Sequence, residues 1–444
     1  MIKMLETEVN QWCAIHKQPV YDIKAAYDAI ESFTSIVSEC DIILYGFGIV
    51  GRRTKDLFEE LGIKKYKVVD QNAVKLMDEL GSRASIYTPD DINWHEVFED
   101  TVVVASLNRN YIEELEASLI KKGFKGNVVD GQGLYEVLRS AKCTIDVQEG
   151  ILHGDVLCHD CMIMDNVCVP RRESFIRMYG NNKTNISGSK KMWMIGYVLG
   201  QFCTLRCKHC CEAIPYYSDE QRSFVPMETV IRDITYMAKA CEFLTTIEFI
   251  GGEPFLHPAL GQILEEAKKL NNVGKVHVFT NGTVVPKDEL CEILSSDRME
   301  VTISNYQVTL DDRLKEKVRN TTQKLKKYNV NVLIGQRQGW LDFASFNQEY
   351  DDVDTVKNHY KNCFIHTCNR LHDGVLYHCP HEYAGALLGH FDTHEDILHI
   401  YDYTTSELAI KLDEYKDREY FESCKYCKLP YDAKPVVSGI QMEK

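Results

Sequence analysis

The chain has 444 residues, 44% hydrophobic and 26% charged, a globular composition that excludes a disordered, collagen-like or coiled-coil protein. A formal charge of −15 argues against nucleic acid or an anionic membrane as main partner, since both reward clustered Lys and Arg. No stretch approaches roughly 18 consecutive apolar residues, and Met1–Gln11 carries Glu6 and Glu8 and no apolar signal region, so a soluble, cytoplasmic protein is expected. At this length two or three domains follow. The 17 cysteines point to metal, because disulfides are disfavoured in a reducing compartment.

Residues 1–40 read as helical. Asp41–Tyr45, Tyr66–Asp70, Thr101–Ala105 and Gly126–Asp130 read as strands, with a helix running to Leu61 and another over Tyr111–Lys122. The pattern predicts a small Rossmann-like parallel α/β domain over 1–140. Gly46-Phe-Gly48-Ile-Val-Gly51 follows the first strand and opens the helix, and Asp70 closes the second strand, where an acid can bond a ribose. Such glycines let backbone approach a pyrophosphate at a helix N-terminus. The competing reading is a docking domain whose glycines only serve the turn. The stretch also resembles the Rossmann-like domains of bacterial polysaccharide-biosynthesis proteins.

Residues 141–190 form an irregular, cysteine-containing linker region ending in the polar run Asn181–Lys191, where the main domain boundary is expected. Cys158, Cys161 and Cys168 supply three thiolates where a zinc knuckle needs four ligands, so free structural cysteines are the first reading and a zinc site completed by Cys143, His153 or His159 is the alternative. From 193 the alternation resumes. Trp193–Val198, Thr246–Ile250, Lys275–Phe279, Glu300–Ser304 and Asn331–Ile334 read as strands, with helices near 226–242, 258–271, 286–295 and 312–327. Repeated βα units imply a parallel sheet, open or barrel-like, with chemistry at the C-terminal strand ends. Cys241 and Cys291 lie on apolar helical stripes and read as core thiols.

Cys203-Thr-Leu-Arg-Cys207-Lys-His-Cys210 follows the first strand of this region. Three thiolates on one loop can hold a cubane iron–sulfur cluster and leave one iron open. Zinc would want a fourth ligand, and Cys211 is adjacent to Cys210, where one loop cannot easily aim both sulfurs at one ion. This CxxxCxxC loop resembles the signature of the radical S-adenosylmethionine (SAM) superfamily. The resemblance extends over about 190–345, to Gly251-Gly252-Glu253-Pro254 after the second strand, Thr280-Asn281-Gly282 after the third and Ser304-Asn305 after the fourth. It implies a partial (β/α)6 barrel over 191–345. The GGEP motif would take the methionine amino group, and Asn281, Ser304 and Asn305 its carboxylate and the ribose. His209 stands where the family usually packs an aromatic residue near adenine. The implied chemistry is one-electron cleavage of SAM at a reduced 4Fe–4S cluster, giving a 5′-deoxyadenosyl radical that abstracts hydrogen. A flavodoxin- or ferredoxin-type electron donor is implied with it.

Cys363, Cys368 and Cys379, joined by Cys424 and Cys427, resemble the SPASM/twitch extension of radical SAM enzymes, here the shorter twitch form over 346–444. That resemblance implies one auxiliary 4Fe–4S cluster, with five cysteines for four places; a zinc site stapling the tail is the alternative. His366, His372, His378 and His381 read as supporting or surface residues. Arg337, Trp340 and Asp342 lie where the barrel mouth is expected and suit a polyol, although a packed loop Trp is an equal alternative. The expected substrate is a small molecule, a sugar or nucleotide-linked sugar undergoing epimerisation, dehydration or alcohol oxidation. The alternative is a peptide- or protein-modifying enzyme.

Overall fold

A computed structural model describes residues 2–80, 85–98, 101–107, 111–152, 161, 168–179, 184–192, 194–306, 308–335, 339–342, 346–363, 365–428 and 432–442. The chain divides into two compact units, 1–174 and 175–444.

In the first unit, helices Ile2–Ile15 and Ile23–Ser38 precede a five-stranded parallel sheet: β1 (Ile42–Tyr45), β2 (Tyr66–Val69), β3 (Ile86–Tyr87), β4 (Val102–Ala105) and β5 (Asn127–Asp130). Its order is β3-β2-β1-β4-β5, every pair parallel. The central strands IILY and VVVA are buried along their whole length, as a parallel sheet covered on both faces requires. The order reverses direction between β1 and β4, and a crevice forms outside the strand ends at such a switch point. The short β3 and the helix Ala73–Leu80 were not anticipated. The start of the irregular region expected over 141–190 is corrected: the helix Gly131–Gln148 runs into it as far as Gln148, because Leu134, Leu138, Ala141 and Ile145 recur at helical spacing and are buried. A further helix covers Val169–Tyr179. Cys158, His153 and His159 lie outside the described residues.

In the second unit, β6 (Met194–Val198), β7 (Leu244–Ile250), β8 (Val273–Thr280), β9 (Met299–Ile303) and β10 (Val332–Ile334) pair in parallel, each beside its sequence neighbour. Helices Met227–Ala240, Leu260–Lys268, Asp288–Leu294 and Asp312–Lys327 connect them. A sixth parallel strand, β12 (Arg370–His372), joins on the free side of β6 and continues into the antiparallel β13 (Val375–Tyr377) and β14 (Leu398–His399). The result is a mixed α/β fold in which a partial barrel carries a C-terminal extension. A separate ribbon pairs β11 (Gly339–Asp342) with β15 (Lys434–Val437).

Strand alternation gives the large sheet two different faces. Ile195, Tyr197, Ile247, Phe249, Val276, Val278 and Val301 pack in one core with the helices, together with Cys241 and Cys291. The opposite face carries Glu248, Lys275, His277, Glu300 and Thr302. There Lys275 Nζ pairs with Glu300 Oε2 at 3.1 Å, and His277 Nε2 lies 2.8 Å from Thr302 Oγ1. These groups are buried apart from the partly accessible Glu248.

Candidate functional site

The C-terminal ends of β6, β7 and β8 bring three loops together. Gly252 N donates to Gly200 O at 2.9 Å and Glu253 N to Phe202 O at 2.8 Å, so the loop after β7 lies along the start of the cysteine loop. The glycine pair makes this approach possible. A Cβ on Gly251, which has φ +129°, would lie 2.6 Å from Gly200 O, and one on Gly252 would lie 2.1 Å from Phe202 O. Gly252→Ala must therefore push the two loops apart. It is expected to cost about 1–3 kcal/mol of stability by overpacking and to lower iron retention, both measurable by thermal melting and iron analysis after anaerobic reconstitution. A variant that melts and retains iron like the parent would contradict the packing role.

Glu253 is the buried centre of the cluster of loops. Its Oε1 accepts from Thr280 Oγ1 at 2.6 Å and Phe255 N at 3.1 Å, and its Oε2 from Asn281 N at 2.8 Å. Burial outweighs these bonds and pushes its carboxyl up to about 7. Asn281 then links the two motifs: its backbone holds Glu253, while Nδ2 donates to Cys203 Sγ at 3.4 Å and to Thr204 Oγ1 at 3.1 Å. Its Oδ1 accepts from Thr283 N at 2.9 Å, which fixes the amide's orientation. Pro254 is buried at the start of the short turn that follows. Ser304 N donates to Thr280 O at 2.8 Å, placing Ser304 and Asn305 at the neighbouring strand end.

Along the cysteine loop, Leu205 N donates to Cys203 Sγ at 3.4 Å, and burial pushes that thiol up to about 12. Burial also raises the Cys207 thiol, opposed by Gln441 Nε2, which donates to its sulfur at 3.3 Å. Cys210 is raised well above the ordinary thiol range by burial, whereas Cys211 is exposed. His209 Nδ1 lies 3.0 Å from Asp342 Oδ1. Trp340 packs edge-on against Tyr306, with ring centroids 5.2 Å apart; Arg337 lies outside the described residues. Two distant partners of this loop had not been singled out: Gln441, and Arg370, whose Nε donates to Glu212 Oε1 at 2.9 Å just after Cys211. Neither has a local sequence signal, because each is brought in from far along the chain.

Of the tail cysteines, Cys363, Cys379, Cys424 and Cys427 are buried and Cys368 is partly so. Cys379 Sγ accepts from Glu382 N at 3.4 Å at the start of the helix Pro380–Leu388. Cys424 Sγ lies 3.7 Å from His378 Nε2, and His378 Nδ1 lies 2.9 Å from Glu382 Oε2. Burial pushes the Cys363 thiol well above the ordinary thiol range, and the charges of Cys379, Cys424 and Cys368 add to the rise. His366, His378 and His381 are buried, which removes the surface alternative for them. Among the described residues no three Cys, His, Asp or Glu side chains converge as ligands of a single metal ion.

In the first unit, Gly48 precedes the helix Ile49–Glu60, and a Cβ there would meet nothing within 4 Å. A Cβ on Gly51 would lie 1.9 Å from Gly46 O, so Gly51 serves the turn itself. Asp70 holds the turn: its Oδ2 accepts from Phe47 N and its Oδ1 from Asn72 N, both at 2.7 Å. Tyr135 Oη donates to Cys161 Sγ at 3.9 Å.

Residues 197–336 match the sequence profile of the Radical SAM superfamily. The chain therefore contains a radical SAM domain and is an enzyme, and such a domain implies SAM and a 4Fe–4S cluster. A GTP 3′,8-cyclase of Chlorobaculum tepidum is 26% identical over 122 residues, which is 28% of this chain and 34% of that relative's length. Among solved structures, BtrN in complex with AdoMet and 2-DOIA is similar at a TM-score of 0.39 and 12% identity, over 55% of this chain and 95% of that one. Streptococcus suis SuiB bound to its precursor peptide SuiA is similar at a TM-score of 0.31 and 13% identity, over 67% and 87%. No described helix is long and apolar enough to cross a membrane.

Proposed function

We propose that this chain cleaves SAM at a 4Fe–4S cluster held by Cys203, Cys207 and Cys210 and uses the product to take hydrogen from a sugar or nucleotide-linked sugar. The observation that carries the reading is the connection Glu253–Asn281–Cys203, which joins a buried carboxylate to the cysteine loop. The residues fit the group. Three thiols on one loop suit a cube, which takes each thiolate on a separate iron and needs no convergence on one ion. No side-chain cation among the described residues pairs with Glu253, so an incoming ammonium would be its natural counter-charge. When bound, a reduced cluster would supply the single electron that cleavage of the carbon–sulfur bond of SAM requires for hydrogen abstraction from the substrate. Within this site Glu253 would orient the methionine amino group, with Gly251, Gly252 and Pro254 shaping its loop. Asn281, Ser304 and Asn305 would contact its carboxylate and ribose. His209, steadied by Asp342, would pack near adenine.

The polar face of the sheet favours a small hydroxylated substrate, because Glu248, His277 and Thr302 form a polar surface that hydroxyl groups can extend and an apolar substrate cannot. The printed name of the Chlorobaculum tepidum relative, a cyclase of GTP, supports a nucleotide-linked one. In the first unit, Gly46, Gly48, Gly51 and Asp70 would receive the nucleotide, with Gly48 facing the open space a pyrophosphate needs. In 346–444, Cys379 with three of Cys363, Cys368, Cys424 and Cys427 would hold one auxiliary 4Fe–4S cluster. A flavodoxin- or ferredoxin-type protein would supply electrons.

Anaerobic reconstitution followed by a panel of candidate sugars, scored by substrate-dependent 5′-deoxyadenosine, tests the reading. A response confined to peptides would replace it with a maturase. Gly48→Val should abolish binding of a nucleoside diphosphate sugar to the full chain in calorimetry, without changing SAM cleavage. If the parent chain binds no nucleotide, the first unit is a docking module.

A further inference from the structure

Beyond the cysteine motif, residues 438–442 lie directly against the loop that carries it. Lys208 N donates to Ile440 O at 2.7 Å and Met442 N to Arg206 O at 2.8 Å, so the two segments pair antiparallel across Cys207 and Gln441. Thr309 Oγ1 donates to Ser438 O at 2.9 Å, and Gly439, at φ +72°, turns the chain against the Tyr306 ring. The β11–β15 ribbon leads into this segment and carries Asp342 to His209.

Gln441 is the one side chain of the segment aimed at a cysteine sulfur among the described contacts. Its Oε1 accepts from Arg206 N at 2.8 Å, and its Nε2 donates to Gly439 O at 2.7 Å and to Cys207 Sγ at 3.3 Å. The amide cannot be turned over, since Oε1 would then face the Gly439 carbonyl and lose the Arg206 donor. Both Nε2 hydrogens are used, one on the backbone and one on the sulfur.

We propose that Gln441 is a positioning residue of the SAM-cleaving cluster: it fixes the middle of the cysteine loop and, through its N–H to Cys207 Sγ, raises the cluster's reduction potential. The inference rests on the assignment of Cys203, Cys207 and Cys210 as its ligands. Reduction adds negative charge to the cluster and its thiolates, so a donor on one sulfur stabilises the reduced form more than the oxidised one. A ligand held only by its own loop would lack that bias.

Two variants separate docking from the donor. Gln441→Glu keeps an acceptor for Arg206 N but loses the N–H to sulfur. Gln441→Met loses both. The full-length proteins are reconstituted anaerobically, iron is counted, and the signal that responds to added SAM is titrated by electron paramagnetic resonance. Both variants should retain parental iron and move the reduction equilibrium by about tenfold against the reduced form, about 59 mV more negative for a one-electron couple. An unchanged potential in Gln441→Glu, with only Gln441→Met affected, reduces Gln441 to a tether and overturns the proposal. A parent chain with no SAM-responsive cluster overturns the ligand assignment itself, an outcome read before either variant is made.

Discussion

Replacing Cys203, Cys207 and Cys210 together by Ala should remove one cluster's iron and abolish SAM cleavage. Among the described residues the neighbouring thiol, Cys211, is exposed while Cys207 is buried and Cys203 and Cys210 are partly so, so it does not share their environment. The tail cysteines begin at Cys363, more than 150 residues beyond the loop, so their metal should be independent. The triple variant is therefore expected to keep about four irons and a brown absorbance, with no stoichiometric zinc. Adding Cys379→Ala should bleach that remainder. It should also destabilise the tail, because Cys379 starts the helix Pro380–Leu388 and the binding energy of a structural site is folding energy. Iron unchanged in the triple variant would sink the assignment of the first cluster. One zinc and no iron would remove the auxiliary cluster, along with any mechanism in which it accepts an electron.

Glu253→Gln should weaken SAM binding by about ten- to a hundredfold, since a charge-assisted bond from an ammonium to a buried carboxylate is worth roughly 1.5–3 kcal/mol. The pH dependence carries a second signature. Burial lifts the Glu253 carboxyl from its ordinary range to about 7, so the free site takes up a proton as pH falls through neutrality. In the proposed role the ammonium of SAM pairs with the carboxylate, so binding has to expel that proton. Affinity should be flat above pH 7 and fall by about tenfold for each further pH unit below it; calorimetry across pH 5.5–8.5, a range set about that value, reads both limbs. The Gln variant should show no such limb. Equal affinity and equal pH profiles in parent and variant would contradict the role given to the GGEP carboxylate.

Much of the architecture was legible because it is local. The five barrel strands fall where period-two and buried apolar runs placed them, and the helix Asp312–Lys327 matches its expected bounds. The helix Gly131–Gln148 was not anticipated: Lys142, Thr144 and Asp146 interrupt its apolar run, although Ala141 and Ile145 continue the buried stripe. The motifs were legible as well, since CxxxCxxC and GGEP are contiguous, and the roles given to them are those the resemblance to the radical SAM superfamily implies.

By itself, then, the sequence determined which residue types stand on which strand ends, and with them the class of chemistry. The tertiary structure decided what surrounds them. Only folding buries Glu253 and shifts its titration, brings Asn281 between that carboxylate and Cys203, and sets β12 beside β6. Only folding carries Gln441 across 234 positions to Cys207. The physical reason is range: backbone propensity and side-chain period act over a few residues, whereas desolvation and hydrogen-bond partnership depend on what distant segments the packed sheet brings within about 3 Å.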